Sequence, residues 1–243
     1  MAETILLPEV CAPPQSPPVT GPTRRRRLQA LGLVLSVSFT QFVFSASYYA
    51  FHPAGAAQKS QLSFVWALIS EITSLLLLCY VLSEPGRSWC AIGWNPQWMD
   101  VLRAVGLVAV SGAGARLVTT FFQGFYRNYT GHYLQPRSLH GVIGGISALS
   151  IVFIVVNPVF EELIVRGFTM SEVTALGGSR NLAIFVSVLI QVSYHVYQGL
   201  LHCIALTVAF TVFSVYFSRS RKILPVVLAH FWSDAYGLFR LTS

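Results

Sequence analysis

Apolar residues occur along this chain in long stretches instead of the alternating pattern of amphipathic strands. A transmembrane helix needs roughly 20 consecutive apolar residues, and linkers that contain proline and tryptophan separate these stretches. The apolar stretches cover residues 28–50, 62–83, 101–122, 139–157, 182–198, 201–218 and 223–241. The pattern predicts an all-α fold, a polytopic transmembrane bundle of about seven to eight helices.

Composition strengthens this prediction, because only 10% of the 243 residues are charged and the mean hydropathy is +0.61. An average soluble domain has about 25% charged residues, since it needs a charged exterior. These values exclude most soluble protein classes and indicate an integral, multi-pass membrane protein.

The net charge of +7 does not indicate a nucleic-acid partner, because the basic clusters lie beside apolar stretches. The clusters are Arg24–Arg27 and Arg219–Lys222, and the positive-inside rule places such clusters on the cytoplasmic side. This orientation puts Arg87, Arg103 and Arg180 on the same side and predicts a cytoplasmic N-terminus. Because no targeting segment is evident, we expect the bacterial inner membrane.

The chain divides into three parts by composition. Residues 1–23 are rich in proline and are predicted to form a disordered cytoplasmic tail. Residues 24–138 hold three predicted spans, and residues 139–243 form the core in which unusual polar residues concentrate. Within this core Pro158 disfavours continuation of the preceding helix, so we expect a new helix to begin there and to end at Gly177.

Charged and histidine side chains within the apolar body are the candidates for function, because a charge near the bilayer centre costs on the order of 2.5–3.5 kcal/mol. The candidates are Glu71, Arg116, Glu161, Glu162, Arg166, His195, His202, His230 and Asp234. We interpret Glu71 and Arg116 as an ion pair between two spans, and His202 as an interhelical hydrogen-bond partner.

Two helical spacings bring polar groups together. Glu162 and Arg166 are four residues apart, which predicts an ion pair, whereas Glu161 is rotated by about 100° and is left available. His230 and Asp234 share one face of the last helix by the same spacing. At about 1.5 Å per residue both elements reach the membrane interior, which predicts one mid-membrane polar site.

The run from Glu161 to Arg166 reads EELIVR and resembles the EExxxR signature of the CPBP family, the CAAX-protease and bacteriocin-processing membrane proteases also called Abi. His195, in a following apolar helix, resembles the histidine of the family's second motif, FxxxH. His230 and Asp234 resemble its third motif, HxxxN or HxxxD. The resemblance covers roughly residues 140–243, and the three motifs occur in the family's order.

Two residues depart from the family pattern. Gln191 stands where FxxxH has phenylalanine, so a polar group that can hydrogen-bond into the site replaces a packing aromatic. Asp234 stands where the third motif most often has asparagine, and an ionised carboxylate supplies no N–H donor. These two departures leave the predicted fold unchanged, but they change polar groups within the predicted site and so affect the expected activity.

The resemblance implies an intramembrane endopeptidase that works without a cofactor on peptides or lipidated proteins in the lipid membrane, including prenylated CaaX-type C termini. Glu161 would be the general base, and His195 would help to hold or deprotonate the attacking water. His230 and Asp234 would face the oxygen of the scissile carbonyl. The supporting residues would be Glu162, Arg166 and Gln191.

Three other interpretations remain open. Glu161, His195 and His230 are chemically adequate ligands for zinc or another divalent ion, although the chain has no HExxH motif. A non-catalytic membrane scaffold or immunity protein of the same fold is favoured by Gln191. A proton-coupled transporter would use Glu161 and the histidines as a relay, but the chain lacks paired broken helices in two halves.

Overall fold

The computed structural model describes residues 21–52, 61–135 and 147–242. Residues 1–20, most of the predicted tail, lie outside the described residues, as does the start of the apolar stretch 139–157. The helices are α1 Arg24–Phe51, α2 Gln61–Leu82, α3 Asp100–Thr130, α4 Ala148–Glu161, a π-helical segment Glu162–Met170, α5 Ser171–Ala175, α6 Arg180–Ser193, a 3₁₀ turn Val196–Gln198, α7 Leu200–Ser220 and α8 Leu224–Thr242.

The predicted all-α polytopic bundle is confirmed, and the described ranges contain no strand. Five helices there are long and apolar enough to cross a membrane: Arg24–Phe51, Leu62–Leu82, Asp100–Thr130, Ala148–Ala175 and Leu200–Ser220. Helix α6 is apolar but shorter. Large apolar side chains such as Phe44, Trp66 and Phe121 are exposed on the outside of the bundle, as expected where the solvent is lipid.

Helix α4 continues through Pro158, so the prediction of a new helix at this proline is wrong. Proline lacks an N–H donor, and transmembrane helices tolerate it when local π-type hydrogen bonding re-satisfies the backbone. The Glu162 N–H makes α-type and 3₁₀-type contacts to the carbonyls of Pro158 and Val159, and the π-helical segment begins at Glu162, about one turn after the proline. Single-turn π-bulges inside helices often mark functional sites.

The π-helical segment is fully buried near the centre of the bundle. It packs against α1, α4, α6, α7 and α8, while α3 packs against α7 and α8. The linker between α2 and α3 also covers it, since a Cβ atom on Gly167 would lie 3.0 Å from the carbonyl oxygen of Ile92. Side chains of the segment therefore point into the interior from a helix that is surrounded by protein.

Several arginines that the positive-inside rule places on one side of the membrane do lie together. Arg27 and Arg87 both pair with Glu172, at 3.1 and 3.5 Å. Arg221 donates to the carbonyl oxygen of Ala91 at 2.6 Å, and Arg180 donates to Ser218 at 3.0 Å. We call this end of the bundle, with Arg27, Arg87, Arg180 and Arg221, the basic end.

Candidate active site

Two adjacent glutamates are buried where α4 becomes the π-helical segment. Gln191 on α6 donates from Nε2 to Glu161 Oε2 at 3.1 Å and to Glu162 Oε1 at 3.3 Å. The predicted rotation of about 100° between the two glutamates does not separate them, because one long amide side chain reaches both carboxylates. Glu161 lies outside the ion pair that Arg166 makes with Glu162, as expected, and its carboxylate accepts a hydrogen bond from Gln191.

The ion pair between Glu162 and Arg166 is formed, as predicted from their spacing. Arg166 also donates to the carbonyl oxygen of Phe210 at 3.4 Å, and its guanidinium lies 5.4 Å from the ring centroids of Phe210 and Phe213. Both charged side chains are fully buried. A buried pair of this kind is held by hydrogen bonds and aromatic faces that replace water around the charges.

His230 on α8 also contacts Glu162 of this ion pair. Its Nδ1 lies 2.7 Å from Glu162 Oε1, and because a carboxylate paired with Arg166 only accepts, Nδ1 carries the proton. The other ring nitrogen, Nε2, lies 3.6 Å from Asp234 Oδ2 and 4.0 Å from Glu161 Oε2. Asp234 is 34% exposed at its side chain, so it marks the more open edge of the cluster.

Asn157 links the site to a third buried acid. Its Nδ2 donates to Glu161 Oε1 at 3.1 Å and to Glu71 Oε1 at 2.9 Å. The predicted pairing of Glu71 with Arg116 is wrong, because no ion pair joins these two residues within the described ranges and Glu71 turns to Asn157 instead. The available sequence signal was the four-residue spacing of Asn157 and Glu161.

His195 lies in the turn that follows α6 rather than on the helix itself. Its Nδ1 is 2.8 Å from the carbonyl oxygen of Gln191, which can only accept, so Nδ1 carries the proton and the neutral ring has Nε2 as its basic nitrogen. The ring of Phe210 lies 5.4 Å from His195 and 6.1 Å from His230. His195 is thus connected to the cluster through Gln191 and Phe210.

Tyr194 is a site residue that the sequence analysis missed. Its ring stacks on Phe39 at 5.1 Å with an interplanar angle of 9°, and its buried hydroxyl interacts with the Glu161 carboxylate. That hydroxyl makes no hydrogen bond of normal geometry to the described residues, and neither does Oε1 of Gln191. The signal was a tyrosine directly before His195, but a single aromatic residue in an apolar helix is rarely informative.

The described residues contain no group of three or more His, Cys, Asp or Glu side chains with the spacing of a metal site. The zinc alternative named Glu161, His195 and His230 as ligands. In the structure His195 directs Nδ1 to a backbone carbonyl and His230 directs Nδ1 to Glu162. The absence of a cofactor stays a prediction.

The cluster has the parts that acid–base hydrolysis requires. Glu161 is a carboxylate held by two amide donors, and the imidazole of His230 lies beside it with its outer nitrogen directed to the partly open edge. Such a pair can remove a proton from a water molecule and donate to a developing negative charge.

Comparison with protein families gives one match. Residues 143–236 match the family model described as Rce1-like, type II CAAX prenyl endopeptidase Rce1-like. No curated protein and no solved structure matches the chain. The matched segment runs from the start of α4 to most of α8, and it holds the EELIVR run, Gln191, His195, His230 and Asp234.

Proposed function

We propose that this chain is a glutamate-dependent intramembrane endopeptidase of the Rce1-like family of type II CAAX prenyl endopeptidases, whose family model matches residues 143–236. The observation that carries the mechanism is the position of Glu161, whose carboxylate is held by Asn157 and Gln191 and lies 4.0 Å from His230 Nε2. The proposed substrates are membrane-associated peptides, above all lipidated proteins with prenylated CaaX-type C termini.

In this mechanism Glu161 takes a proton from a water molecule, and the resulting hydroxide adds to the carbonyl carbon of the scissile peptide bond. His195 holds the water through Nε2, since its Nδ1 is committed to the Gln191 carbonyl. The bond to the leaving nitrogen then breaks, and the proton on Glu161 passes to that nitrogen. The products are a free carboxylate and a free amine.

In this mechanism His230 is an imidazolium, kept charged by the carboxylates of Glu161, Glu162 and Asp234, and it donates to the tetrahedral oxyanion from Nε2. Glu162 orients this ring by accepting from Nδ1, and Arg166 fixes Glu162 in turn. Asp234 is expected to hold the Nε2 proton in place rather than to donate itself, because an ionised carboxylate has no N–H. The replacement of the family's usual asparagine therefore leaves the donor role to His230.

The direct test uses the full chain in liposomes with a farnesylated CaaX peptide, and mass spectrometry to detect the released C-terminal tripeptide. We expect Glu161→Gln to abolish release while the thermal midpoint of unfolding stays close to that of the wild type. Glu84→Gln, a carboxylate change in the linker after α2, serves as the matched control and retains activity. Cleavage by Glu161→Gln at the wild-type rate would refute the mechanism.

A non-catalytic scaffold or immunity protein of the same fold is the second candidate, and one observation favours it. Gln191 donates directly to Glu161 Oε2, so an amide group occupies one oxygen of the carboxylate that an endopeptidase would use as its base. The two functions differ in the outcome of Glu161→Ala. If the protein is a scaffold, the variant folds and cells that carry it keep the wild-type phenotype. If it is an endopeptidase, those cells show the phenotype of loss of function.

The proposed orientation places the basic end and the N-terminus in the cytoplasm of a bacterial inner membrane. The convergence of four arginines at one end of the bundle supports it through the positive-inside rule. Protease protection of an N-terminal epitope tag in inverted and right-side-out vesicles tests it, with cleavage expected only in inverted vesicles.

A further inference from the structure

A cavity of about 420 Å³ lies at the basic end, away from the glutamate cluster. It is lined by four arginines and one acid: Arg27, Arg87, Arg180, Arg221 and Glu172. The opposite end of the buried helix contributes Met170 and Ser171 to its wall, whereas none of the proposed catalytic side chains lines it. The charge of this lining is strongly positive.

Arg87 is the most deeply buried of the four cations, and two of its donor atoms lack a hydrogen-bond partner within the described residues. Its side chain is only 3% exposed, and NH2 lies 3.5 Å from Glu172 Oε2. NH1 lies 3.8 Å from Glu84 Oε2, which is too long for a hydrogen bond, and within the described residues both NH1 and Nε lack a hydrogen-bond partner. Buried donors of a charged group are costly to leave unpaired, so NH1 and Nε of Arg87 are candidate donors to a bound ligand.

The remaining arginines have mainly neutral partners. Arg221 donates to the Ala91 carbonyl and to Ser171 Oγ at 2.8 Å, and Arg180 donates from Nε to Ser218 Oγ. Burial lowers the pKa of the Arg221 guanidinium, as expected for a cation that is desolvated beside neutral acceptors. Among these three arginines, Arg27 alone has a close carboxylate contact with a described residue, Glu172, and it shares that acid with Arg87.

We propose that this cavity binds a phosphate group. Guanidinium groups bind phosphate through paired N–H donors in a planar fork, and Arg87 has two donors without a partner in the cavity wall. The position at the basic end of a membrane bundle suits the headgroup of an anionic phospholipid, since basic pockets between transmembrane helices bind such headgroups. A soluble phosphate compound offers the same chemistry, and the experiment separates the two sources.

The test compares the full chain with Arg87→Gln and Arg180→Gln in two arms. In the first arm, native mass spectrometry measures binding of phosphatidylglycerol to protein released from phosphatidylcholine nanodiscs. In the second arm, the thermal midpoint is measured in inorganic phosphate and in chloride of equal ionic strength. We expect each variant to bind phosphatidylglycerol or inorganic phosphate about tenfold more weakly than the wild type, because each variant loses one charge-assisted hydrogen-bonding group.

Arg219→Gln is the matched control, because it removes the same charge from an exposed residue at the end of α7 that does not line the cavity. Weakened lipid binding in the cavity variants assigns the site to a headgroup, and a weakened phosphate effect assigns it to a soluble phosphate compound. Equal binding by Arg87→Gln, Arg180→Gln and Arg219→Gln in both arms overturns the proposal. Arg180 is exposed, so Arg180→Gln decides the question even if Arg87→Gln fails to fold.

Discussion

The side-chain amide of Gln191 donates a hydrogen bond to Glu161 Oε2 at 3.1 Å, at the position where the CPBP pattern usually has phenylalanine. A second contact of the same Nε2 reaches Glu162 at 3.3 Å, so one residue on α6 bridges both glutamates. This bridge orients the proposed base and also occupies one of its two carboxylate oxygens, which the catalytic water would otherwise approach. Activity therefore depends on the balance of two opposed effects at one residue.

We expect Gln191→Phe to raise kcat for the farnesylated peptide about tenfold, because loss of the amide donor leaves Glu161 Oε2 open to the catalytic water. Single-turnover cleavage in liposomes measures the change, with the thermal midpoint as a check of folding. Gln191→Glu, which keeps the length of the side chain, is the comparison and is expected to lose activity because it adds a third carboxylate. A folded Gln191→Phe variant with unchanged or lower kcat contradicts this account of Gln191.

Asn157 is proposed to position Glu161, since its Nδ2 bridges Glu161 and Glu71 across two helices. We expect Asn157→Ala to lower kcat about tenfold while KM changes little, because the substrate-binding surface is unaffected and only the orientation of the base is lost. Steady-state cleavage of the same peptide separates the two constants. Glu71→Gln is the control that keeps an acceptor for Asn157, so its kcat should stay near the wild-type value.

The contacts of Glu162 and Arg166 follow directly from sequence spacing, and so does the shared face of His230 and Asp234. A four-residue separation on a helix fixes a side-chain neighbour without any knowledge of tertiary structure. The resemblance to the family then adds His195, which no local spacing connects to the other residues. These parts of the site were predictable because each depends on helix geometry or on a motif.

Asn157, Tyr194 and Glu71 escaped prediction for a physical reason. The Asn157–Glu71 and Tyr194–Glu161 contacts cross between helices, and spacing within one helix does not say which helices will face each other. The fold class was predictable because it depends only on long apolar stretches.

Arg166 should be the most sensitive position of the site for stability. Arg166→Met leaves Glu162 buried without its cation, and we expect the free energy of unfolding to fall by about 3–5 kcal/mol. Arg166→Lys retains the charge but loses the hydrogen bond to the Phe210 carbonyl, so its free energy of unfolding should fall less than that of Arg166→Met. Thermal unfolding of the detergent-solubilised chain compares them, with the exposed Arg219→Met as the control. Equal stability of Arg166→Met and Arg219→Met would show that the Glu162–Arg166 ion pair does not stabilise the fold.

The proposed mechanism predicts that cleavage is insensitive to metal chelators. The mechanism activates water through Glu161, and the described residues contain no group of three or more His, Cys, Asp or Glu side chains placed to hold a metal ion. We expect the rate of tripeptide release to be unchanged after dialysis against a chelator, and the purified chain to hold less than one metal ion per molecule. Loss of activity that added zinc restores would instead assign Glu161, His195 and His230 to a metal centre and replace the glutamate-dependent mechanism.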